Sequence, residues 1–241
     1  GNYSANASTA TTANITARTL TVSATGINRV YDGTTGATVT LGDDRVGGDV
    51  LSFARTASFA DKNVGVGKAV SVTGISVGGA DAGNYSANAS TATTADITAR
   101  TLNVSATGIN RVYDGTTGAT VTLGDDRVGG DVLTFGSTSS FADKNVGVGK
   151  AVSVTGISVG GADAGNYSAN ASTATTANIT ARTLNVSATG INRVYDGSTS
   201  ATVTLGDDRV GGDVLTFASS ASFADKNVGV GKAVSVTGIS V

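Results

Sequence analysis

Three aspartates crowd the glycine-rich segment GDDRVGGDV: Asp43, Asp44 and Asp49, with Asp81 further along. Carboxylate oxygens gathered in a turn are the donor type that calcium takes. Their spacing, however, matches neither the EF-hand loop nor the glycine-rich nonapeptide repeat. Aspartate in such turns also serves to bond its own backbone. Asp43, Asp44 and Asp49 therefore stand as calcium candidates against the plainer and preferred reading of solvated, turn-forming aspartate.

A second group is Lys62, Asn63 and Lys68 in FADKNVGVGK. A lysine and an asparagine can condense to an isopeptide with loss of ammonia, given a buried acid beside them. Asp61 directly precedes Lys62 and in a strand would face the other way. Exposed charges that discourage pairing of sheet edges are the preferred reading. Sequons supply a third group: Asn2, Asn6, Asn14, Asn84 and Asn88 all head Asn-x-Ser/Thr triplets, as do Asn103, Asn166, Asn170, Asn178 and Asn185. They are glycosylation candidates, in a chain whose wealth of Ser and Thr also produces such triplets by chance. The fourth is Tyr31-Asp32-Gly33. Asp-Gly predicts a tight turn with glycine at positive φ, and Tyr31 is expected to pack its ring at a module end with its hydroxyl in water. A ligand-binding Tyr31 is the lesser reading.

Composition narrows the chemistry further. The chain has no His, Cys, Met, Trp or Pro, and all 18 acidic residues are Asp. The usual proton shuttles of neutral pH are thus missing, and so are the ligands of zinc, haem and iron–sulfur sites. No imidazole is present to activate the many hydroxyls. An enzyme is not expected, nor a cofactor. The net charge of −2, with 16 Lys and Arg scattered singly, gives no basic stripe, so no nucleic-acid partner is expected. No apolar run is long enough to insert in a membrane within this segment.

The elements that must position these residues come in copies. GINRVYDG occurs at 26–33, 108–115 and 190–197, and residues 1–82 align with 83–164 and 165–241 without a gap. Such a fixed period marks a tandem array. The first two copies differ at six places, among them Ala54/Gly136, Arg55/Ser137 and Ala57/Ser139; that cluster reads as one exposed loop or edge. Apolar residues alternate, as in Val39/Leu41, Val64/Val66 and Val70/Val72, which is the signature of strands. About six to eight short strands per repeat are expected.

In TTANITARTLTVSAT the inward positions Ala13, Ile15 and Ala17 are odd, whereas Leu20 and Val22 are even. A change of parity within a β-type run turns side chains to the opposite face. Either a bulge stands there or the run leaves one core and enters the next. The second reading is preferred. It places a joint at Ala17-Arg18-Thr19, and likewise at Arg100 and Arg182, with Tyr31, Asp32, Gly33, Tyr113 and Tyr195 as further joint residues. One or two extended residues as linker would make the array stiff. The division is then 1–16 as closing strands of a preceding module, 17–98, 99–180, and 181–241 as a module lacking its closing strands. With no Met, the chain also reads as a window cut from a longer polypeptide. Head-to-tail strand complementation between chains is the sharper account of the same ends, alongside lateral self-association; otherwise the partners are neighbouring repeats of the same polypeptide.

RVYDGTTGATVTL, GDDRVGGDV, FADKNVGVGKAVSVTGISVGGADAGNYS and TTANITARTLTV together resemble the YDG repeat and its relatives among mostly bacterial Ig-like modules. One departure is visible: where the family usually has Pro after the closing Ile-Thr, this chain has Ala17, Ala99 and Ala181. The resemblance implies an all-β array of tandem Ig-like β-sandwich modules in an elongated line. It also implies an origin in filamentous-haemagglutinin-like adhesins at the bacterial cell surface, where such repeats are stalks without catalytic residues. The expected function is a structural stalk or filament segment. The alternative is an array of binding modules engaging calcium, glycan or neighbouring fibres through loops. A parallel β-helix is the rival fold, but no sub-period near ~20 residues lies inside the 82.

Overall fold

The computed structural model describes residues 1–241. It is all-β apart from two single-turn 3₁₀ helices, Ala82–Asn84 and Ala164–Asn166. The chain divides into two compact units. One comprises 1–104, 125–136 and 158–170, the other 105–124, 137–157 and 171–241.

The first unit contains eight strands between residues 17 and 98. They are β1 (Arg18–Leu20), β2 (Val22–Ile27), β3 (Arg29–Val30), β4 (Thr38–Asp43), β5 (Ser52–Phe59), β6 (Gly65–Gly78), β7 (Tyr85–Ala87) and β8 (Ser90–Thr98). Four of them form a sheet in the order β3-β8-β6-β5, with β3 and β8 parallel and the others antiparallel. An antiparallel pair, β2-β4, packs on it, and β1 runs parallel to β7. Alternation along each strand sends one set of side chains into the space between the sheets. Leu20, Val22, Val39, Phe59, Val70, Val72, Ala95 and Ile97 meet there, all buried. Each large side chain removed from water contributes about 1.5–3 kcal/mol, so the small core of this glycine- and threonine-rich repeat depends on every one of them.

At Gly26 the two sheets come close together. A Cβ there would stand 2.3 Å from the carbonyl oxygen of Thr94 and 2.9 Å from the Cβ of Ala95. Only glycine lets β2 cross β8 at that distance. The cluster of varying positions Ala54, Arg55 and Ala57 lies on β5, the sheet edge, where a register shift between Ala54 and Thr56 leaves Arg55 out of the ladder.

Beyond β8 the chain enters β9 (Arg100–Leu102), which pairs in parallel with β15 (Tyr167–Ala169). The parity change falls here. Ala95 and Ile97 are buried at odd positions, Leu102 and Val104 at even ones. Ala99, taken as inward by the same pattern, is exposed between the two strands. Val66 also departs from the alternation. It is 90% exposed, because the register shift between Gly65 and Lys68 breaks the ladder around it.

Residues 1–16, expected as closing strands of a preceding module, have no strand to pair with among residues 1–241. No strand precedes Arg18, and these side chains are exposed. A β8-type strand is held by neighbours on both edges, and residues 8–16 have none.

The second unit repeats the scheme with β10 (Ser105–Ile109), β11 (Arg111–Val112), β12 (Thr120–Gly124) and β16 (Ser172–Thr180). It shares β13 (Thr134–Phe141) and β14 (Gly147–Gly160) with the first unit, since the division falls inside those strands. The sheet order is β11-β16-β14-β13, with β10 pairing β12. Its core holds Phe141, Val152, Val154, Ala177 and Ile179. Residues 181–241 add two antiparallel pairs, β17 (Val186–Ile191) with β18 (Thr202–Asp207), and β19 (Ala218–Phe223) with β20 (Val234–Ser240).

Candidate functional site

The most elaborate polar cluster in the chain joins one repeat to the next, and all of it lies within the first unit. Tyr31 follows β3, its backbone N–H donating to the Thr98 carbonyl at 2.9 Å. Its ring is 1% exposed and meets that of Tyr167 edge-on, with centroids 5.5 Å apart. The hydroxyl of Tyr31 donates to Asp131 Oδ2 at 2.8 Å, and that of Tyr167 donates to the same oxygen at 2.6 Å. Lys62 reaches the other oxygen, Oδ1, at 2.7 Å and also Asp163 Oδ1 at 3.0 Å. Its ammonium lies 5.8 Å from the centre of the Tyr31 ring. Alongside, the buried Asn166 accepts the N–H of Val64 at 2.9 Å and donates to Asn63 at 3.2 Å. Tyr31, Lys62, Asn63 and Val64 belong to one repeat; Asp131, Asp163, Asn166 and Tyr167 belong to the next.

Local sequence prepares both halves. Asp32 bonds the backbone N–H and hydroxyl of Thr34 at 2.9 and 2.8 Å, and Arg29 at 2.8 Å, closing the turn after Tyr31. Gly33 stands at φ 79°, and a Cβ on it would come within 2.7 Å of Val128 of the following repeat. On the other side, the turns GDDRVGGDV and GGADAGNY supply Asp131, Asp163 and Asn166.

Burial alone would raise the Asp131 carboxyl. The hydrogen bonds from Lys62, Tyr167 and Tyr31 together outweigh it and hold the group below the usual carboxylate range. The pairing with Asp131, then Asp163 and Tyr31, pushes Lys62 up. Burial and the Asp131 carboxylate push Tyr167 up to about 12. Lys62 is thus firmly a cation facing two anions. An amine held in that state is a poor nucleophile, so the geometry is that of an ion pair and not of a crosslink about to form.

The arrangement recurs inside the second unit. The Tyr113 hydroxyl lies 2.7 and 2.9 Å from the two oxygens of Asp213, and Lys144 is 2.7 Å from the same carboxylate. Lys144 and Tyr113 hold Asp213 below its ordinary range. A Cβ on Gly115 would come within 2.6 Å of Val210. A third tyrosine at the same position, Tyr195, is 57% exposed.

The family comparison fits this period. Residues 16–94, 98–176 and 180–241 each match the YDG domain. The chain belongs to the YDG domain family. Its three tandem YDG copies begin close to Ala17, Ala99 and Ala181, and the first two end inside β8 and β16. No curated protein matches the chain.

Two expectations about these YDG copies are corrected. The hydroxyls of Tyr31 and Tyr113 are not in water but spent on aspartates of the next copy, because the rings tuck under its turns. Lys62 is no strand-edge charge; it lies in the bend before β6 and reaches across to Asp131 and Asp163. Lys68 pairs with Asp61 at 2.7 Å.

The remaining candidates are dispersed. Asp43 is gripped by Arg45 at 2.6 and 2.7 Å, Asp44 accepts the Thr21 N–H at 2.8 Å, and Asp49 accepts from the Tyr85 hydroxyl. No three acidic residues converge as metal ligands. Arg18 and Thr19 open β1, opposite Tyr85 and Ser86, and Arg18 donates to the Asp44 carbonyl at 3.1 Å. Arg100 lies opposite Tyr167 in the β9-β15 pair, which puts it beside the joint, while Arg182 is 3.9 Å from Asp208. Asn88 binds both the N–H and the carbonyl of Val22 with its side chain. Asn166 is buried, whereas Asn2, Asn6, Asn14 and Asn84 are exposed. Sequence reasoning missed Asp131, Asp163 and Tyr167, and read Asn166 only as a sequon. Their signal was the recurrence of the same acidic turns at each period.

Proposed function

We propose that this chain is a structural segment of an exported bacterial adhesin or surface fibre, a stalk of Ig-like β-sandwich modules in linear array. The observation that carries this reading is the cluster around Asp131. Two tyrosine hydroxyls, an ammonium and a second carboxylate are spent on holding one YDG copy to the next, not offered to a ligand. The resemblance of the repeats to adhesin stalks is what speaks for an extracellular, cell-surface location. An array of calcium- or glycan-binding modules has less support, since Asp43, Asp44 and Asp49 each serve a different local partner. No catalytic step is assigned to the chain, and its partners are neighbouring repeats.

Small-angle scattering of the chain tests the proposal. A compact protein of this length would have a radius of gyration of about 18 Å. The stalk reading expects a value at least half as large again, and a value near 18 Å would sink it.

A further inference from the structure

We propose that a YDG copy resists tension through one lock: its entry segment, 18–31, is paired in parallel with its exit segment, 85–98, and a pull along the chain loads that pairing in shear. The inference deepens the stalk reading, on which the use of such a lock rests. Tension along a polypeptide reaches a folded copy where the chain enters and leaves it, here at Ala17 and Ala99. What joins the segments next to those two points decides how the copy yields.

The two segments keep step over their whole length. β1 runs parallel to β7, with Arg18 opposite Tyr85 and Leu20 opposite Ala87. β3 runs parallel to β8, with Arg29 opposite Ile97 and Val30 opposite Thr98, and the Tyr31 N–H closes that end on the Thr98 carbonyl. No ladder joins the segments between these two pairs, and asparagine side chains fill the gap. Asn88 accepts the Val22 N–H at 2.7 Å and donates to the Val22 carbonyl at 3.0 Å. Asn28 accepts the Asp96 N–H at 2.7 Å and donates to Asp96 Oδ2 at 3.2 Å. A primary amide offers both a donor and an acceptor, so it can stand in for a missing rung. The Gly26 N–H reaches Thr93 Oγ1 at 3.3 Å. These side-chain partners lie 66 to 68 residues apart, which makes them one row and not a scatter. The device recurs: Asn170 grips Val104 at 2.7 and 3.0 Å, and Asn110 accepts the N–H of Asn178 at 2.8 Å.

Parallel pairing sets how the row is loaded. The pull acts on the start of one segment and on the end of the other, so it slides them past each other and strains every bond at once. An antiparallel hairpin pulled at its two adjacent ends opens one bond at a time instead. Bonds that must fail together present a higher barrier than bonds that fail in turn, and forced unfolding is governed by that barrier. Gly26 adds a steric catch. It sits where a Cβ would stand 2.3 Å from the Thr94 carbonyl oxygen. As the entry segment is drawn back, Ile27 and then Asn28 arrive at a place where only glycine fits.

The test pulls on the full chain with a single-molecule instrument, through cysteine handles in a chain that has no cysteine of its own. Ala17→Cys with Ala99→Cys draws along the row. Ala17→Cys with Gly83→Cys draws the two segment starts apart and peels it. All three positions are exposed, and a Cβ on Gly83 meets nothing. The unfolding force is expected to be about twofold or more higher in the first geometry, where the bonds share one barrier. Asn28→Ala and Asn88→Ala should each speed unfolding along the row about tenfold at a set load, the scale of losing a pair of hydrogen bonds, and so narrow the gap between the two directions. Val72→Ala, a core change outside both segments, should lower both forces and keep their ratio. Equal forces in the two geometries, or asparagine variants that behave as Val72→Ala does, would overturn the proposal. Scattering and pulling fail separately. An extended chain that yields equally in both directions would leave the stalk reading standing and remove this one, whereas a compact chain with a strong directional preference would do the reverse.

Discussion

Replacing Asp131 with alanine is expected to cost the first unit about 3–5 kcal/mol, the range seen when one member of a buried charged network is removed. Its side chain is 3% exposed and takes hydrogen bonds from Tyr31, Tyr167 and Lys62. Alanine would leave two tyrosine hydroxyls without their acceptor, while Lys62 would keep only Asp163. The chain contains its own control. Asp49 is the same residue one period earlier and accepts from Tyr85 as Asp131 does from Tyr167. Asp49→Ala therefore reports the part of the loss that lies within one repeat, and it should be much the smaller of the two. Urea unfolding followed by tyrosine fluorescence would check this. Equal losses would mean the cross-repeat bonds contribute nothing.

The same cluster contributes to the pH dependence, beside aspartates such as Asp43 and Asp61 that are also held below their ordinary range. Asp131, Asp163 and Asp213 are held below their ordinary range in the fold, so their contribution is fully present above the unfolded carboxylate value of about 3.9. It is lost as pH falls through the lower folded values. With no histidine in the chain, stability should be nearly flat from about pH 5 to 8 and then fall below about pH 4. Asp131→Asn should make that acid limb shallower by the share of one carboxylate, the other lowered aspartates keeping the rest. Tyr167, raised to about 12, acts in the opposite sense. Its contribution is present below the unfolded value of about 10 and is lost as pH climbs toward the folded one.

The second large effect is expected at Gly26. Gly26→Ala places a Cβ 2.3 Å from the Thr94 carbonyl oxygen, and neither strand can yield without parting the sheets. The Gly26 N–H, which donates to Thr93 Oγ1 at 3.3 Å, would be displaced with it. A loss of about 2–4 kcal/mol is expected, at the upper end of overpacking costs. Gly190→Ala makes the same chemical change on the same strand type with open space before it, and should fall within about 0.5 kcal/mol of the parent. Thermal melts of the two variants compare them directly. Similar losses would show that the close approach of β2 to β8 is not what constrains the glycine.

Much of this was legible in the residues, for identifiable reasons. Period and parity survive translation into structure because they are local. The odd positions Ala95 and Ile97 and the even positions Leu102 and Val104 are buried on either side of the parity change. The bulge that turns Val66 outward was not legible, since alternation alone cannot say where a ladder slips. Nor was the partner of Lys62, which lies 69 residues on. A charge in a sequence carries no address, and Lys62 reads the same whether it faces water or a buried carboxylate. Asp49 and Asp131 make the point most sharply, being the same residue in the same turn; only the presence of a preceding repeat buries one of them. Residues 8–16 and β16 are the counterpart for strands: nine identical residues, one set paired on both edges and the other bare.

The central claim is that successive YDG copies are held together by the polar cluster on Asp131, and a double-mutant cycle between Tyr31→Phe and Asp131→Ala, which removes the acceptor, measures it most directly. The two residues stand 100 positions apart, on different copies, and meet through a single hydrogen bond of 2.8 Å. A coupling energy of about 1–2 kcal/mol is predicted, as for a buried hydrogen bond to a charged group. Strictly additive losses, with a coupling indistinguishable from zero, would contradict the account.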